Sequence, residues 1–155
     1  MREDVKVCTA DVPNTATTYT GGDCVGGAVR LPGAVAEGGA VLKSVLVIDT
    51  DPAMLPLRLY LFDRPPAATD DAAFSPTAAE LKRLLGYVDV ATDDYTVVGG
   101  YRVAQLDVAL AVNADPDPDT AGQGMGDLWL VVVAPDGGSV NPGDSLRVRL
   151  GLIRA

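Results

Sequence analysis

An all-β fold, a jelly-roll-like antiparallel β-sandwich with one short inserted α-helix, is predicted by three features of this sequence. The C-terminal residues alternate with a period of two: Leu146, Val148, Leu150 and Leu152 on one face, Arg147, Arg149, Gly151 and Ile153 on the other. Two further apolar runs, Asp127 to Ala134 and Tyr101 to Val112, lie upstream, and the segments between them are rich in Pro, Gly and Asp. Strands that bury one face read this way, and several of them spaced by turn residues point to a sandwich or barrel. Finally, only one segment, about 76–85, places its apolar residues at helical spacing. About eight or nine strands with one inserted helix fit a jelly roll or related Greek-key sandwich.

Taken in chain order, the first twenty residues are polar and Thr-rich, with one short strand expected at Val5 to Thr9. Residues 1–20 can lie extended as an arm against a neighbouring subunit or form a frayed terminus. Gly21-Gly-Asp-Cys-Val-Gly-Gly27 brackets a turn and a strand running to about Leu31, and Pro32 to Gly39 reads as a loop. Val41 to Asp49 is apolar on both faces through its middle, which suits a central or doubly covered strand. Leu55 to Phe62 turns Leu55, Leu57, Leu59 and Leu61 inward and Arg58 and Tyr60 outward. After a loop from Asp63 to Ala73, Ser75-Pro76 and the capping-box pattern Thr77-Ala-Ala-Glu80 open the helix. Ala78, Leu81, Leu84 and Leu85 supply its apolar stripe, and Gly86 its stop. Short strands are expected at Tyr87 to Ala91 and Thr96 to Val98, with Asp93-Asp94 at the turn between them, then a tight Gly99-Gly100 turn into the strand from Tyr101. Ala114 to Gly126 and Pro135 to Asp144 are loops.

The 155 residues suit a single sandwich domain over 1–155, with no repeat and no shift in composition to mark a second. With 48% apolar residues but only 5% aromatic, the core must be built mainly from Val, Leu and Ala. A net charge of −9 disfavours nucleic acid as a partner, and Arg147, Arg149 and Arg154 read as a solvated strand face. No stretch reaches the apolar length of a membrane helix, and the mixed charges of Met1-Arg-Glu-Asp-Val-Lys-Val do not resemble a secretory signal. Cys8 and Cys24 are expected as reduced structural thiols, although their spacing also permits a disulfide.

Chemistry is scarce. Histidine is absent, which removes the usual proton shuttle near neutral pH and the commonest metal ligand. Serine nucleophiles therefore have no histidine base, and no Ser-x-x-Lys arrangement replaces it. Asp115, Asp117 and Asp119 alternate with prolines and are the weak candidates for calcium, although the helix–loop–helix pattern fails because Thr120 and Gly126 stand where Gly and a carboxylate are needed. Gly122-Gln-Gly-Met-Gly126 leads into a strand rather than a helix, so it is a flexible loop and not a phosphate cradle. Asp70-Asp71 and Asp93-Asp94 read as turn residues rather than as glycosidase carboxylates. Trp129, in an apolar strand, reads as a core or interface anchor. No catalytic residue, metal or cofactor is expected.

The chain resembles a class of tailed-phage virion structural proteins, including those of gene transfer agents. The resemblance is carried by Tyr19-Thr-Gly-Gly-Asp-Cys-Val-Gly-Gly27, Leu59-Tyr-Leu-Phe-Asp63, and Asp71-Ala-Ala-Phe-Ser-Pro-Thr-Ala-Ala-Glu-Leu81 leading to Gly86-Tyr-Val. Leu130-Val-Val-Val-Ala134 and Leu146-Arg-Val-Arg-Leu-Gly-Leu152 complete it, so it runs from about residue 17 to the end. Cys24 departs from it, standing where an aliphatic residue is expected. The resemblance implies a non-enzymatic β-sandwich on the particle surface, a head decoration or the base of a head spike or fibre. It further implies contacts with the major capsid protein or a spike or fibre protein, and self-association into a ring. Synthesis would be in the bacterial cytoplasm. Loop placement makes Tyr19, Asp23, Tyr60, Tyr95 and Tyr101 the candidate interface residues. The alternative is a glycan-binding sandwich used in host attachment, for which Tyr60, Tyr95 and Tyr101 are the available aromatics.

Overall fold

The computed structural model describes residues 4–16, 18–35, 39–51, 55–113, 126–140 and 143–154. Their strands are β1 (Asp4–Asn14), β2 (Thr18–Tyr19), β3 (Asp23–Cys24), β4 (Val29–Leu31), β5 (Ala40–Asp49), β6 (Leu57–Phe62), β7 (Leu84–Val90), β8 (Tyr95–Val98), β9 (Tyr101–Val112), β10 (Leu128–Ala134), β11 (Gly138–Ser139) and β12 (Gly143–Arg154). One helical turn, α1 (Ala78–Leu81), and one 3₁₀ turn at Thr92–Asp94 complete the described elements.

Two antiparallel sheets form a sandwich. One has the order β1-β12-β5-β9-β8; in the other β3, β10, β6 and β7 are neighbours and β4 also pairs with β10. The first strand pairs with the last (β1 with β12), then, moving inward along the chain, β3 and β4 pair with β10, β5 with β9, and β6 with its successor β7. A long hairpin rolled so that β12 also meets β5, and β10 meets β6, has this pairing, and it is the jelly roll. β2 and β11 join the loops at one end of the sandwich.

Alternation explains which side chains reach the core. Leu146, Val148, Leu150 and Leu152 of β12 meet Leu57, Leu59 and Leu61 of β6 and Leu128, Leu130 and Val132 of β10 in one interior cluster, each nearly or fully buried. Small and aliphatic residues fill it, as the composition requires. Cys8 and Cys24 are both buried and free; burial, the largest influence on each, pushes both thiols above their ordinary value.

The structure corrects four expectations. The N-terminal arm is a strand: residues 4–14 pair along β12, with Asp11 opposite Arg147 and Asp4 opposite Arg154. The helix expected over 76–85 is one turn. Thr77 and Glu80 make the capping box, but the chain leaves the helix after Leu81 and enters β7 at Leu84. Leu84 and Leu85 looked helical because Leu85 is the extra residue of a bulge: Leu61 faces Gly86 while Phe62 faces Leu84. The two leucines point to opposite sides of the sheet, Leu84 joining the outer cluster and Leu85 the interior, as neighbours on a strand do. In β5 a bulge falls at Lys43, which sits between Ser44 (opposite Gly151) and Leu42 (opposite Leu152). Leu42 therefore shares the buried side with Val45 and Val47, against the strict alternation the sequence suggests. Finally, the strand expected to run unbroken to Leu31 is two short pieces, β3 and β4.

Candidate functional site

The most organised polar arrangement is built around the excursion from β6 to β7, residues 63–83. Its two ends are tied together: Arg83 Nε donates to Asp63 Oδ1 at 2.8 Å, and Asp63 N to the Arg83 carbonyl at 3.2 Å. A loop with joined ends and internal packing has the form of an Ω loop, here longer than usual and carrying the turn of α1. It passes over the outer face of the β3-β10-β6-β7 sheet. There Phe74 packs at 5.3 Å from Tyr60 and 6.1 Å from Phe62 (ring centroids), and Phe62, Val131, Val133 and Cys24 become a second apolar cluster. Residues 70–74 then run alongside β3, with Cys24 N donating to Ala72 O at 2.9 Å, Asp71 N to Cys24 O at 3.1 Å and Phe74 N to Gly22 O at 3.0 Å. Glu80 secures the return by accepting from Ala67 N at 2.8 Å and Thr77 N at 2.7 Å.

Asp70 is the node of this arrangement. Its Oδ2 accepts from Thr15 N at 2.8 Å and Thr15 Oγ1 at 2.6 Å, and its Oδ1 from Tyr19 Oη at 2.8 Å and Gly26 N at 2.7 Å. One carboxylate therefore binds the Ω loop to the end of β1, to β2 and to the turn after β3. Desolvation, the largest single influence on Asp70, pushes its pKa up, but the hydrogen bonds from Thr15, Gly26 and Tyr19 together hold it below the usual carboxylate value. Burial, with the bond to Asp70, raises the Tyr19 phenol in turn. Gly26 sits at φ +75°, where a Cβ would lie 2.6 Å from the Pro13 carbonyl oxygen. Only glycine lets this amide approach the carboxylate.

Two other acids do similar work. Asp127 is buried; it accepts from Arg30 Nε at 2.6 Å and Gly33 N at 2.9 Å, pinning the turn after β4 to the start of β10. Asp49 and Asp51 are both buried at the end of β5, where Asp51 N donates to Asp49 Oδ1 at 2.8 Å. Burial pushes Asp49 up to about 6 against the hydrogen bond from Asp51 N, while the charges of Asp51 and Arg102 act less, the first raising it and the second lowering it. Tyr95 lies close by, its phenol raised chiefly by burial, and its hydroxyl donates to Leu55 O at 3.0 Å.

These contacts place the residues expected at an interface. Tyr19 and Asp23 are buried, so neither presents a contact surface: Tyr19 serves Asp70, and Asp23 Oδ2 accepts from Thr20 N at 2.8 Å. Tyr95 is half-buried beside Asp49. Tyr60 is half-buried in a tyrosine ladder with exposed Tyr87, ring centroids 5.9 Å apart. Arg58 lies 4.9 Å from the centre of the Tyr87 ring and holds Asp89 through two bonds of 2.6 and 3.2 Å. Tyr101 alone of the five is exposed. Asp115, Asp117 and Asp119 lie outside the described residues, and among the described residues no group of three or more His, Cys, Asp or Glu is placed to hold a metal ion.

Sequence reasoning passed over Asp70 as a node because its partners stand 44 to 55 positions away. Its Asp-Asp context correctly signalled a turn, and Asp71 has the left-handed φ of 58° that Asp tolerates. Asp94 likewise accepts from Ala91 N at 2.7 Å, as a turn aspartate does. In comparisons with known proteins, no family model and no curated protein matches this sequence.

Proposed function

We propose that this chain is a non-enzymatic structural protein on the surface of a phage or phage-like particle, either a head decoration or the base of a head spike or fibre attached to the capsid. The observation that supports this reading best is how the carboxylates are used. Asp70, Asp127, Asp23, Glu80 and Asp94 all accept backbone or arginine donors that hold loops to the sandwich. Acids engaged in this way build a rigid module with little to spare for general acid–base work. A filled jelly roll with fastened loops suits a protein that must withstand proteolysis and present fixed surfaces to the major capsid protein or a spike protein. The acidic surface would keep it off the packaged genome during assembly.

Cryo-electron microscopy of purified particles from the source cell tests this. Density for the jelly roll on the capsid exterior is the expected result. Particles that lack the chain by both density and mass spectrometry would refute it.

One observation favours a second reading, a glycan-binding module. Tyr87 is exposed beside Tyr60, and the Arg58–Asp89 pair supplies fixed polar groups at its edge. An aromatic face flanked by oriented polar groups is the chemistry that holds a pyranose ring. Binding on a glycan array that Tyr87→Ala abolishes would favour this reading; an array without signal would dismiss it.

A further inference from the structure

An unpaired sheet edge is a template for another chain unless something blunts it. Most edges here are blunted. β8 is only four residues long, and β4 three. β3 is flanked by residues 70–74, through bridges at Asp23–Ala73 and Cys24–Asp70. β7 is bent by its bulge at Leu85 and Gly86. β1 turns Lys6 to the same side as buried Cys8 and Ala10, and Pro13 stands near its far end. One stretch has none of these devices. β9 pairs with β5 through residues 102–112, but β8 covers its other side only along residues 101–104. Leu106-Asp-Val-Ala-Leu-Ala-Val112 is thus a step in the sheet edge. It contains no Gly, Pro, Lys or Arg, and no described strand pairs with its outer side.

The backbone of this step is aimed outward. Gly99 and Gly100, at φ +58° and +90°, make a two-residue turn, so Val98 and Tyr101 bond to each other and the amides of Tyr101 and Val103 face β8. β9 keeps its alternation beyond them: Leu106, Val108 and Leu110 pack half-buried against the core, while Gln105, Asp107, Ala109 and Ala111 are exposed. The register shift near Lys43 lies on the β5 side and leaves this alternation intact. The amides of Asp107, Ala109 and Ala111 therefore point to the side that β8 leaves free.

We propose that this step pairs with the same step of a second copy, antiparallel across a two-fold axis through Ala109, so that two five-stranded sheets join edge to edge. Three observations select that occupant. The first is shape. The step runs from the end of β8 to Val112, the end of β9, so two of them overlap as a lap joint, with each copy's β8 lying beyond the end of its partner's strand. Centring the pair on Val108 instead would bring the partner's Val112 against Ala104, where Tyr95 already sits. The second is the side-chain pattern. With Ala109 on the axis, Leu106 meets Val112 and Val108 meets Leu110 on the core side, which completes the burial of three half-buried residues. On the outer side Ala109 meets Ala109 and Asp107 meets Ala111, small groups that let the strands close. A β1 edge from another copy would set Lys6 into the apolar row. The third is charge. Chains of net charge −9 repel one another, and Asp107 is the only ionisable residue of the step. This register places it opposite alanine, whereas centring on Asp107 would place it opposite itself.

The contact rests on this edge and not on the particle reading, so either can fail alone. Ala109→Cys reads it directly. Bonded residues across antiparallel strands have Cα atoms about 5.5 Å apart, within disulfide reach, so mild oxidation should yield a covalent dimer. Asp107→Cys, off the axis, should yield none, and the native cysteines are buried. Sedimentation of the whole chain should show association with a dissociation constant on the order of 10–100 μM. Ala109→Lys, at an exposed position, sets like charges face to face and should weaken association at least about tenfold. Val5→Lys, on exposed β1 at the opposite edge, should leave it unchanged. A melting transition as cooperative as that of the wild-type chain would certify that the variants fold. Amide exchange at Asp107, Ala109 and Ala111 should slow as the concentration rises. A chain that stays monomeric at about 500 μM would overturn the proposal. So would association abolished by Val5→Lys and untouched by Ala109→Lys. Slow exchange at the three amides in a monomer would overturn it in favour of a segment of this chain lying on the edge. Cross-linking of Ala109→Cys only to a different particle protein would overturn it in favour of that partner.

Discussion

Asp70→Asn is the perturbation that most directly probes how this fold is fastened. The carboxylate accepts four hydrogen bonds, from Thr15 N, Thr15 Oγ1, Tyr19 Oη and Gly26 N. The amide keeps one acceptor oxygen and turns an NH₂ group toward at least one donor. The bonds from Thr15 are exposed, and water can replace them; those from Tyr19 and Gly26 are part-buried and cannot be replaced as cheaply. A hydrogen bond to a charged group contributes about 1.5–3 kcal/mol, so losing or inverting one of the inner pair and weakening the rest should cost about 3 kcal/mol. With a urea slope of about 2 kcal/mol/M, the midpoint should fall by about 1.5 M. Trp129, the sole tryptophan, packs against the cluster under the Ω loop and reports the transition by fluorescence. The effect must also depend on pH. The folded pKa of Asp70 lies below its ordinary 3.8, so its stabilisation is present above that value and is lost as pH falls through the folded one. Wild type and variant should therefore converge in acid. A cost at pH 7 under about 0.5 kcal/mol, or one that does not shrink in acid, would refute the assignment of Asp70 as the node.

Three further perturbations probe other links. Gly26→Ala should destabilise by about 2–4 kcal/mol in the same urea titration, because a Cβ would strike the Pro13 carbonyl oxygen and the residue must hold φ +75°. Phe62→Ala, which empties the centre of the outer cluster, should cost about 3–5 kcal/mol by thermal unfolding and increase proteolysis within residues 63–77. Asp49→Asn acts through pH. With the Asp49 pKa raised to about 6 from an ordinary 3.8, the folded state favours the protonated acid, so stability declines as pH rises from about 4 to above 6. The variant should flatten that decline in melting temperatures measured across the range, and an unchanged slope would show that Asp49 does not titrate there.

Of the strands legible in the sequence, β9 and β12 bury one side against the core, and period two is the direct imprint of that, while β10 is apolar throughout because both of its sides are covered. Where the reading failed, a local irregularity or a polar pattern hid the strand. Leu84 and Leu85 have helical spacing after a genuine capping box, yet pairing of β7 with β6 outweighs a helix of one turn. Beyond Thr9, β1 reads as polar, and its length comes from β12, the long partner that it follows from Asp4 to Asn14. The polar sites were less legible still. Asp70 could be read as a turn residue, but not as the acceptor for Thr15, Tyr19 and Gly26.

The sequence by itself determined the class of fold, the aliphatic make-up of the core, and the turn positions at Gly99-Gly100 and Asp93-Asp94. Those properties depend on periodicity and on local backbone preference, which are written in neighbouring residues. Only the tertiary structure decided the order in which the strands pair, that Tyr19 and Asp23 face inward, and that a loop covers the outer face of one sheet, as no described segment does for the other. Each of these turns on partners far apart in the chain, joined by interactions whose energy depends on distance in space, to which sequence separation is no guide.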